Sequence, residues 1–359
     1  MVEGVAAAAR KAGGGALPGQ PVVGPAAWTP ATLDPSEWAY QLSPTEVDEI
    51  VAATRHAVDT GKPIPELSKA DFPLPTLGPH LERFAREACW GRGFVVLRGF
   101  PVDRLSQAEA ATAWFGFGLH WGTPVSQNAK GHVLGHVKDL GLDPDDDDVR
   151  VYATHAAQPW HVDDTELVAL LCLKTARSGG RSGWVSSASV YNRLLEARPD
   201  LAEELMKPFA FDRKNEEDPG DVPYWLLPVF SFYKGHFACF YNPRMMKEAQ
   251  ARRGRCGRAG NVAPALQAVS DIADQPDLHL EWQLEPGDVQ LLYNWRLHMR
   301  THYEDWPGFE NRRHLLRLWL TADDAPPLDP AYYGAAAPGR PGLGIYRRGT
   351  VHSAPLDAE

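Results

Sequence analysis

The segment Gln158-Pro159-Trp160-His161-Val162-Asp163-Asp164 holds an imidazole and a carboxylate two residues apart. On an extended backbone residues i and i+2 share a face, so His161 and Asp163 project together while Val162 turns away. One imidazole and one carboxylate are two parts of a two-His, one-carboxylate ligand set, which grips one side of a ferrous ion and leaves its other positions open. Alone, a His-x-Asp triplet carries little weight, because a chain with 13 histidines is expected to contain about one by chance. His279-Leu280-Glu281 is such a decoy, with the same geometry on an expected strand.

What singles out the first triplet lies downstream. An apolar strand over Val289–Tyr293 leads into Asn294-Trp295-Arg296-Leu297-His298-Met299-Arg300-Thr301, and Arg312-Arg313-His314-Leu315-Leu316-Arg317-Leu318-Trp319-Leu320 forms the last strand. His298 supplies a third ligand. Arg313, fifteen positions later, supplies a fixed cation whose planar fork can bind both oxygens of a carboxylate. A ligand set with three open iron positions and a waiting guanidinium suits 2-oxoglutarate, which takes two positions, and O₂, which takes the third. The decoy has no such arginine pattern after it. His302 shares the face of His298 on a strand and is the rival third ligand. Arg317 shares the face of Arg313; an arginine in an apolar strand needs a partner, either a ligand anion or a structural acid.

These residues need a scaffold of strands. Ser43-Pro44-Thr45-Glu46 is a capping box that opens a helix running to about Val58. Further helices are expected over Leu81–Trp90, Ala108–Phe117, Val190–Glu196 and Pro264–Ile272. Short strands are expected at Phe94–Leu97, Val149–Thr154, Leu167–Leu173, Trp184–Val185, Phe209–Phe211, Val229–Tyr233, Phe237–Tyr241, Leu278–Leu284, Val289–Tyr293 and His314–Leu320. Lys234-Gly235 and Glu285-Pro286-Gly287-Asp288 read as turns between them. Many strands with few helices predict a mainly β fold with flanking helices, a barrel or jelly roll. Residues 1–33, rich in Ala, Gly and Pro, read as a disordered leader, 34–325 as a single domain and 326–359 as a C-terminal extension. The acidic run Asp143–Asp148 lacks the spacing of a calcium loop and reads as a solvated loop or flap.

Composition narrows the function classes. Of 359 residues, 44% are hydrophobic and 23% charged, with a formal net charge of −10. That balance argues against nucleic acid or an anionic membrane as partner, since both select a basic surface. The one basic cluster, Arg252 to Arg258, is interrupted by glycine. No stretch approaches the roughly 20 apolar residues of a membrane span. Cys89, Cys172, Cys239 and Cys256 form no CxxC pair, which argues for reduced thiols and a cytoplasmic location, with organelle targeting by the leader as the alternative. The expected partner is a small-molecule substrate; a homo-oligomer is compatible with everything above.

The sequence resembles the taurine dioxygenase family of iron(II)/2-oxoglutarate oxygenases, which includes 2,4-dichlorophenoxyacetate dioxygenase. The resemblance runs from about Gly93 to Leu320. It is carried by Gly93-Phe94-Val95-Val96-Leu97-Arg98-Gly99-Phe100, Trp160-His161-Val162-Asp163, Ser178-Gly179-Gly180-Arg181-Ser182, His298-Met299-Arg300-Thr301 and Arg312-Arg313-His314-Leu315-Leu316-Arg317. It implies a double-stranded β-helix of cupin-like barrel type, with iron held by His161, Asp163 and His298. It implies that Arg313 grips the side-chain carboxylate of 2-oxoglutarate and that Ser182, where the family usually has threonine, bonds the same carboxylate. Arg317 matches a position that reads an anionic substrate group in taurine dioxygenase, or else supports Arg313. Gln127 and Asn128 lie in a segment resembling a loop over the family's site, which makes them candidate substrate contacts or ordinary turn residues. The implied reaction is hydroxylation of a small organic substrate with release of succinate and CO₂. Retention of Asp163 disfavours halogenation. Alternatives are the same cofactor chemistry ending in desaturation or epoxidation, or a metal-binding cupin that is not an oxygenase.

Overall fold

The computed structural model describes residues 15–146, 149–252, 262–333 and 343–358. Two sheets position the site. Their strands are β1 (Ala39–Gln41), β2 (Phe94–Arg98), β3 (Gly122–Pro124), β4 (Gly135–Lys138), β5 (Gln158–His161), β6 (Leu167–Lys174), β7 (Ser182–Val185), β8 (His279–Trp282), β9 (Val289–Tyr293), β10 (Leu297–Arg300) and β11 (His314–Ala322). The larger sheet runs β1-β2-β9-β6-β11-β3, with β4 also paired to β11; the smaller runs β8-β7-β10-β5. Within both, every pair is antiparallel except β1 with β2. This is the double-sheet jelly roll expected from the sequence.

The central strands β6, β9 and β11 read as near-continuous apolar runs because both of their faces are covered. The outer face of the larger sheet packs on helices α1 (Pro44–Asp59), α2 (Gly78–Trp90) and α3 (Gln107–Gly118), joining Ile50, Leu81 and Phe117 to Leu291 and Leu318 in one core. The inner face meets the smaller sheet through Phe94, Val168, Trp184 and Trp319. Strand alternation therefore sends Leu316, Leu318 and Leu320 toward the helices. It turns Arg313, Leu315, Arg317 and Trp319 inward.

The capping box is present as read: Ser43 Oγ accepts from Glu46 N–H and the Glu46 carboxylate accepts from Ser43 N–H. Lys234 and Gly235, at φ 47° and 79°, form the turn between strands Phe230–Tyr233 and His236–Cys239. The turn before β9 is closed by Asp288 N–H donating to Glu285 O. Two expectations are corrected. Val149–Thr154 is not a strand but carries a 3₁₀ turn at Val151–Ala153, closed by Ala153 N–H on Arg150 O and Thr154 N–H on Val151 O, with the Val151 and Thr154 carbonyls also accepting from the buried Arg300 side chain. The disordered-leader reading fails over residues 15–33. Trp28 is 3% exposed, its indole donates to Arg92 O at 2.7 Å, and Val22 N–H donates to Asn192 Oδ1 at 2.7 Å. The stretch after residue 326 also packs back, with Gly344 N–H on Asp164 O and Ile345 N–H on Ser126 O.

Asp143–Asp146 form a largely exposed turn. Leader residues 1–14, the rest of the acidic run, Cys256 and the basic cluster after Arg252 lie outside the described residues. Cys89, Cys172 and Cys239 are buried and free. Among the described residues no helix is long and apolar enough to cross a membrane.

Candidate metal centre

Strands β5 and β10 pair so that His161 lies directly opposite His298, with ring centroids 4.1 Å apart. Beyond β5 the chain is pinned by Val162 N–H donating to Tyr241 O, and Asp163 comes to the same side. One ligand atom from each of His161, Asp163 and His298 lies within 4.8 Å of the others, a grouping that a single ion could bridge. Among the described residues this is the only such grouping of three or more His, Cys, Asp or Glu side chains. Neither the decoy His279 nor the rival His302 belongs to it. His279 Nδ1 contacts the carbonyls of Ala273 and Gln275, and His302 packs its ring against His155.

The surrounding groups fix each donor. The His161 Nδ1–H donates to Pro159 O at 2.8 Å; since a carbonyl only accepts, Nε2 keeps its lone pair and accepts from the Gln158 amide. Asp163 Oδ2 accepts from Trp319 Nε1–H at 2.9 Å and from Arg317 Nη1 at 3.3 Å, while Oδ1 lies 3.8 Å from His161 Nε2. One carboxylate oxygen is thus held by the protein and the other is directed at the histidines. The Asn294 amide clamps the backbone of this turn: Oδ1 accepts from Asp163 N–H at 2.8 Å, and Nδ2 donates to Asp163 O and Thr165 O.

Burial sets the charges. Loss of solvent pushes the His298 imidazolium down to about 3, with the adjacent His161 adding to the effect, and lowers His161 in the same way. Burial works to raise Asp163, but Arg317, then His161, His298 and the Trp319 bond outweigh it and keep the carboxyl below its ordinary range. Two neutral imidazoles and one ionised carboxylate at neutral pH are a donor set that fits a ferrous ion.

A cavity opens from this triad toward Ser182, Arg300 and Arg313, all of which line it. Arg313 is 3% exposed; its Nη2 donates to Gly180 O at 3.3 Å, its guanidinium sits 5.2 Å from the Tyr303 ring centroid, and Nη1 has no hydrogen-bond partner. The turn beneath it needs glycine. Gly179 and Gly180 have φ of 75° and 70°, and a Cβ on Gly180 would stand 2.8 Å from Arg313 Nε. Ser182 on β7 is the direct cross-strand neighbour of Arg300 on β10.

A second cavity shares His161, Asp163, Tyr152 and Arg317 with the first and adds Arg150, Lys214 and Arg244. The last three have acid partners: Arg150 pairs with Glu216, while Lys214 and Arg244 both pair with Glu248. Arg317 differs, since its acid partner is Asp163 itself. It is fixed by Nε donating to Gln127 Oε1 at 2.7 Å and lies between the rings of Tyr152 and Trp319.

Gln127 and Asn128, the candidate substrate contacts, line neither cavity. Both amide groups are spent on the protein. The Gln127 side chain accepts from Arg317 Nε through Oε1 and donates from Nε2 to the Arg317 backbone carbonyl, and Asn128 Oδ1 accepts from Lys130 and His132 N–H in a turn. Three residues escaped the sequence reading: Asn294, Trp319 and Arg300. The last two carried a usable signal, each lying two residues beyond a singled-out residue (Arg317 and His298) on the same strand face. Asn294 gave none, because its partners are about 130 residues away in the chain.

The family model described as taurine catabolism dioxygenase TauD, TfdA family matches residues 60–319. FR-33289 synthase of Streptomyces rubellomurinus is 31% identical over 310 residues, covering 85% of this chain and 91% of that protein. A taurine hydroxylase-like protein of Stachybotrys chartarum is 32% identical over 294 residues, covering 79% and 75%. The fold matches asparagine oxygenase, solved with Fe(II), 3-hydroxyasparagine and succinate, at a TM-score of 0.62 and 16% identity, over 86% of this chain and 99% of that one. With the matched segment spanning the triad, both glycines of the turn and Arg313, the chain belongs to the TauD/TfdA family of non-haem iron, 2-oxoglutarate-dependent dioxygenases.

Proposed function

We propose that the chain hydroxylates a small organic substrate bearing an anionic group, with iron(II) on His161, Asp163 and His298 and 2-oxoglutarate in the cavity closed by Ser182 and Arg313. The observation that carries this reading is the convergence of three ligand atoms within 4.8 Å at a cavity that also holds a guanidinium lacking a partner on Nη1. Bound iron and 2-oxoglutarate supply the oxidising power, with O₂ as oxidant and succinate and CO₂ as products. The chain's own residues do the positioning. Trp319 and Arg317 hold one oxygen of Asp163 so that the other is free to ligate, and Asn294 fixes the turn that carries it. Arg313 and the Ser182 hydroxyl orient the far carboxylate, which sets the keto end against the metal.

The anionic character of the substrate rests on Arg317. Four cations line the outer cavity, and three of them are matched by Glu216 and Glu248 behind the wall. Arg317 shares its acid with the metal ligand set, so when Asp163 neutralises an iron charge this guanidinium retains positive charge facing the substrate cavity. The test follows succinate release from 2-oxoglutarate with iron(II), ascorbate and a panel of organic anions. His161→Ala, Asp163→Ala and His298→Ala lose turnover, whereas His279→Ala keeps it. Loss on His279→Ala with survival of Asp163→Ala would move the metal elsewhere.

A further inference from the structure

Arg300 is 5% exposed and makes no ion pair among the described residues. Its Nη2 donates to three backbone carbonyls, those of Val151, Thr154 and Ala156. Its Nε and Nη1 are buried without a hydrogen-bond partner, and its guanidinium lies 4.9 Å from the centroid of the Tyr303 ring that also faces Arg313. It lines the inner cavity together with Arg313, which is equally buried and equally without a carboxylate. Two guanidiniums lining one cavity repel, and an unpaired buried charge costs several kcal/mol. A ligand that brings negative charge to this cavity would balance both guanidiniums at once. Strand geometry puts Arg300 beside the right end of the cavity: it follows His298 by two residues on the same face of β10, and its neighbour on β7 is Ser182.

We propose that Arg300 is a second guanidinium for the far carboxylate of 2-oxoglutarate. Nε and Nη1 bind the anion, and Nη2 ties it to the Val151–Ala156 segment that walls the substrate cavity. Arg300 is on this account a positioning and selectivity residue. It selects a dicarboxylic 2-oxo acid and, through the three carbonyls, links occupancy of the inner cavity to the wall that bears Tyr152. This rests on the reading that 2-oxoglutarate occupies the inner cavity.

The test compares binding of 2-oxoglutarate and of 2-oxovalerate, which has the same chain length but no far carboxylate. It uses anaerobic calorimetry on the iron(II)-loaded full chain. Arg300→Gln weakens 2-oxoglutarate roughly 10- to 100-fold and leaves 2-oxovalerate unchanged; Arg300→Lys, which keeps the charge, recovers part of the loss. If Arg300→Gln weakens both acids alike, or neither, Arg300 only anchors the segment and the proposal fails. Should the variants not fold, a crystal structure of the unaltered chain with N-oxalylglycine decides. Arg300 nitrogens within hydrogen-bond distance of the far carboxylate support the proposal, and any greater separation overturns it. A wild-type chain that does not prefer 2-oxoglutarate to 2-oxovalerate fails at the earlier step, the occupancy of the cavity itself.

Discussion

The two cavities flanking the triad are both lined by buried or half-buried cations, yet they treat those charges in opposite ways. In the outer one Lys214 and Arg244 share Glu248, and Arg150 is matched by Glu216, so the wall is neutralised from behind. In the inner one Arg300 and Arg313 have hydrogen bonds to carbonyls but no acid. On the function proposed above, the difference separates cations that build a wall from cations that wait for a ligand. A wall needs its charge balanced at all times. A binding group for an obligatory co-substrate is left unbalanced so that the ligand completes it, which converts the desolvation already incurred into affinity.

The largest effect that would test this contrast is at Arg313. Replacement by leucine removes the better-placed of the two waiting charges and raises the 2-oxoglutarate dissociation constant about 100-fold, read by anaerobic calorimetry. Retention of wild-type affinity would mean that the inner cations are structural after all. Next comes Glu248→Gln on the outer wall. It leaves Lys214 and Arg244 without their acid and lowers stability by about 3 kcal/mol in denaturant titration, while 2-oxoglutarate affinity stays as it was. An affinity loss without a stability loss would reverse the assignment of the two walls.

The smallest effect concerns a third class of buried group, one kept neutral. His136 and His314 face each other on β4 and β11 at 2.8 Å, and His136 also reaches Pro355 O. Burial pushes His314 down to about 3, with His136 next in effect, against an ordinary value of 6.5. The unfolded chain therefore takes up a proton that the folded chain refuses. Stability from this site is whole above pH 6.5 and is lost as pH falls toward 3. His314→Gln flattens that part of the plot of melting temperature against pH. An unchanged slope would place the acid sensitivity elsewhere.

Much of the site was readable before any fold was known, and the reason is periodicity. His161 and Asp163, and likewise Arg313 and Arg317, are related by two or four residues on extended chain, so one rule of alternation orients them. The central strands announced themselves as unbroken apolar runs. What alternation cannot supply is the identity of long-range partners. Asn294 holds Asp163 and Thr165, Trp319 holds Asp163, and neither pairing has a local signature. The same limit explains the two misread segments. Val149–Thr154 has the side chains of a strand, but its carbonyls are claimed by a local turn and by Arg300. The stretch around Trp28 has the composition of a disordered leader, but Trp28 packs on Phe94 in the cluster between the sheets with its indole bonded, and Asn192 and Ser189 hold the backbone at Val22 and Trp28.

The Asn294 clamp has one more implication. Because this amide grips the main chain of residues 163 to 165 rather than the carboxylate, the clamp itself does not depend on the side chain displayed there. Trimming Asp163 to glycine would then leave a ligand-sized vacancy with the clamp in place, one that formate added to the buffer could refill. The scaffold thus holds the bend through its backbone and the donor carboxylate through Trp319 and Arg317, two separate sets of contacts.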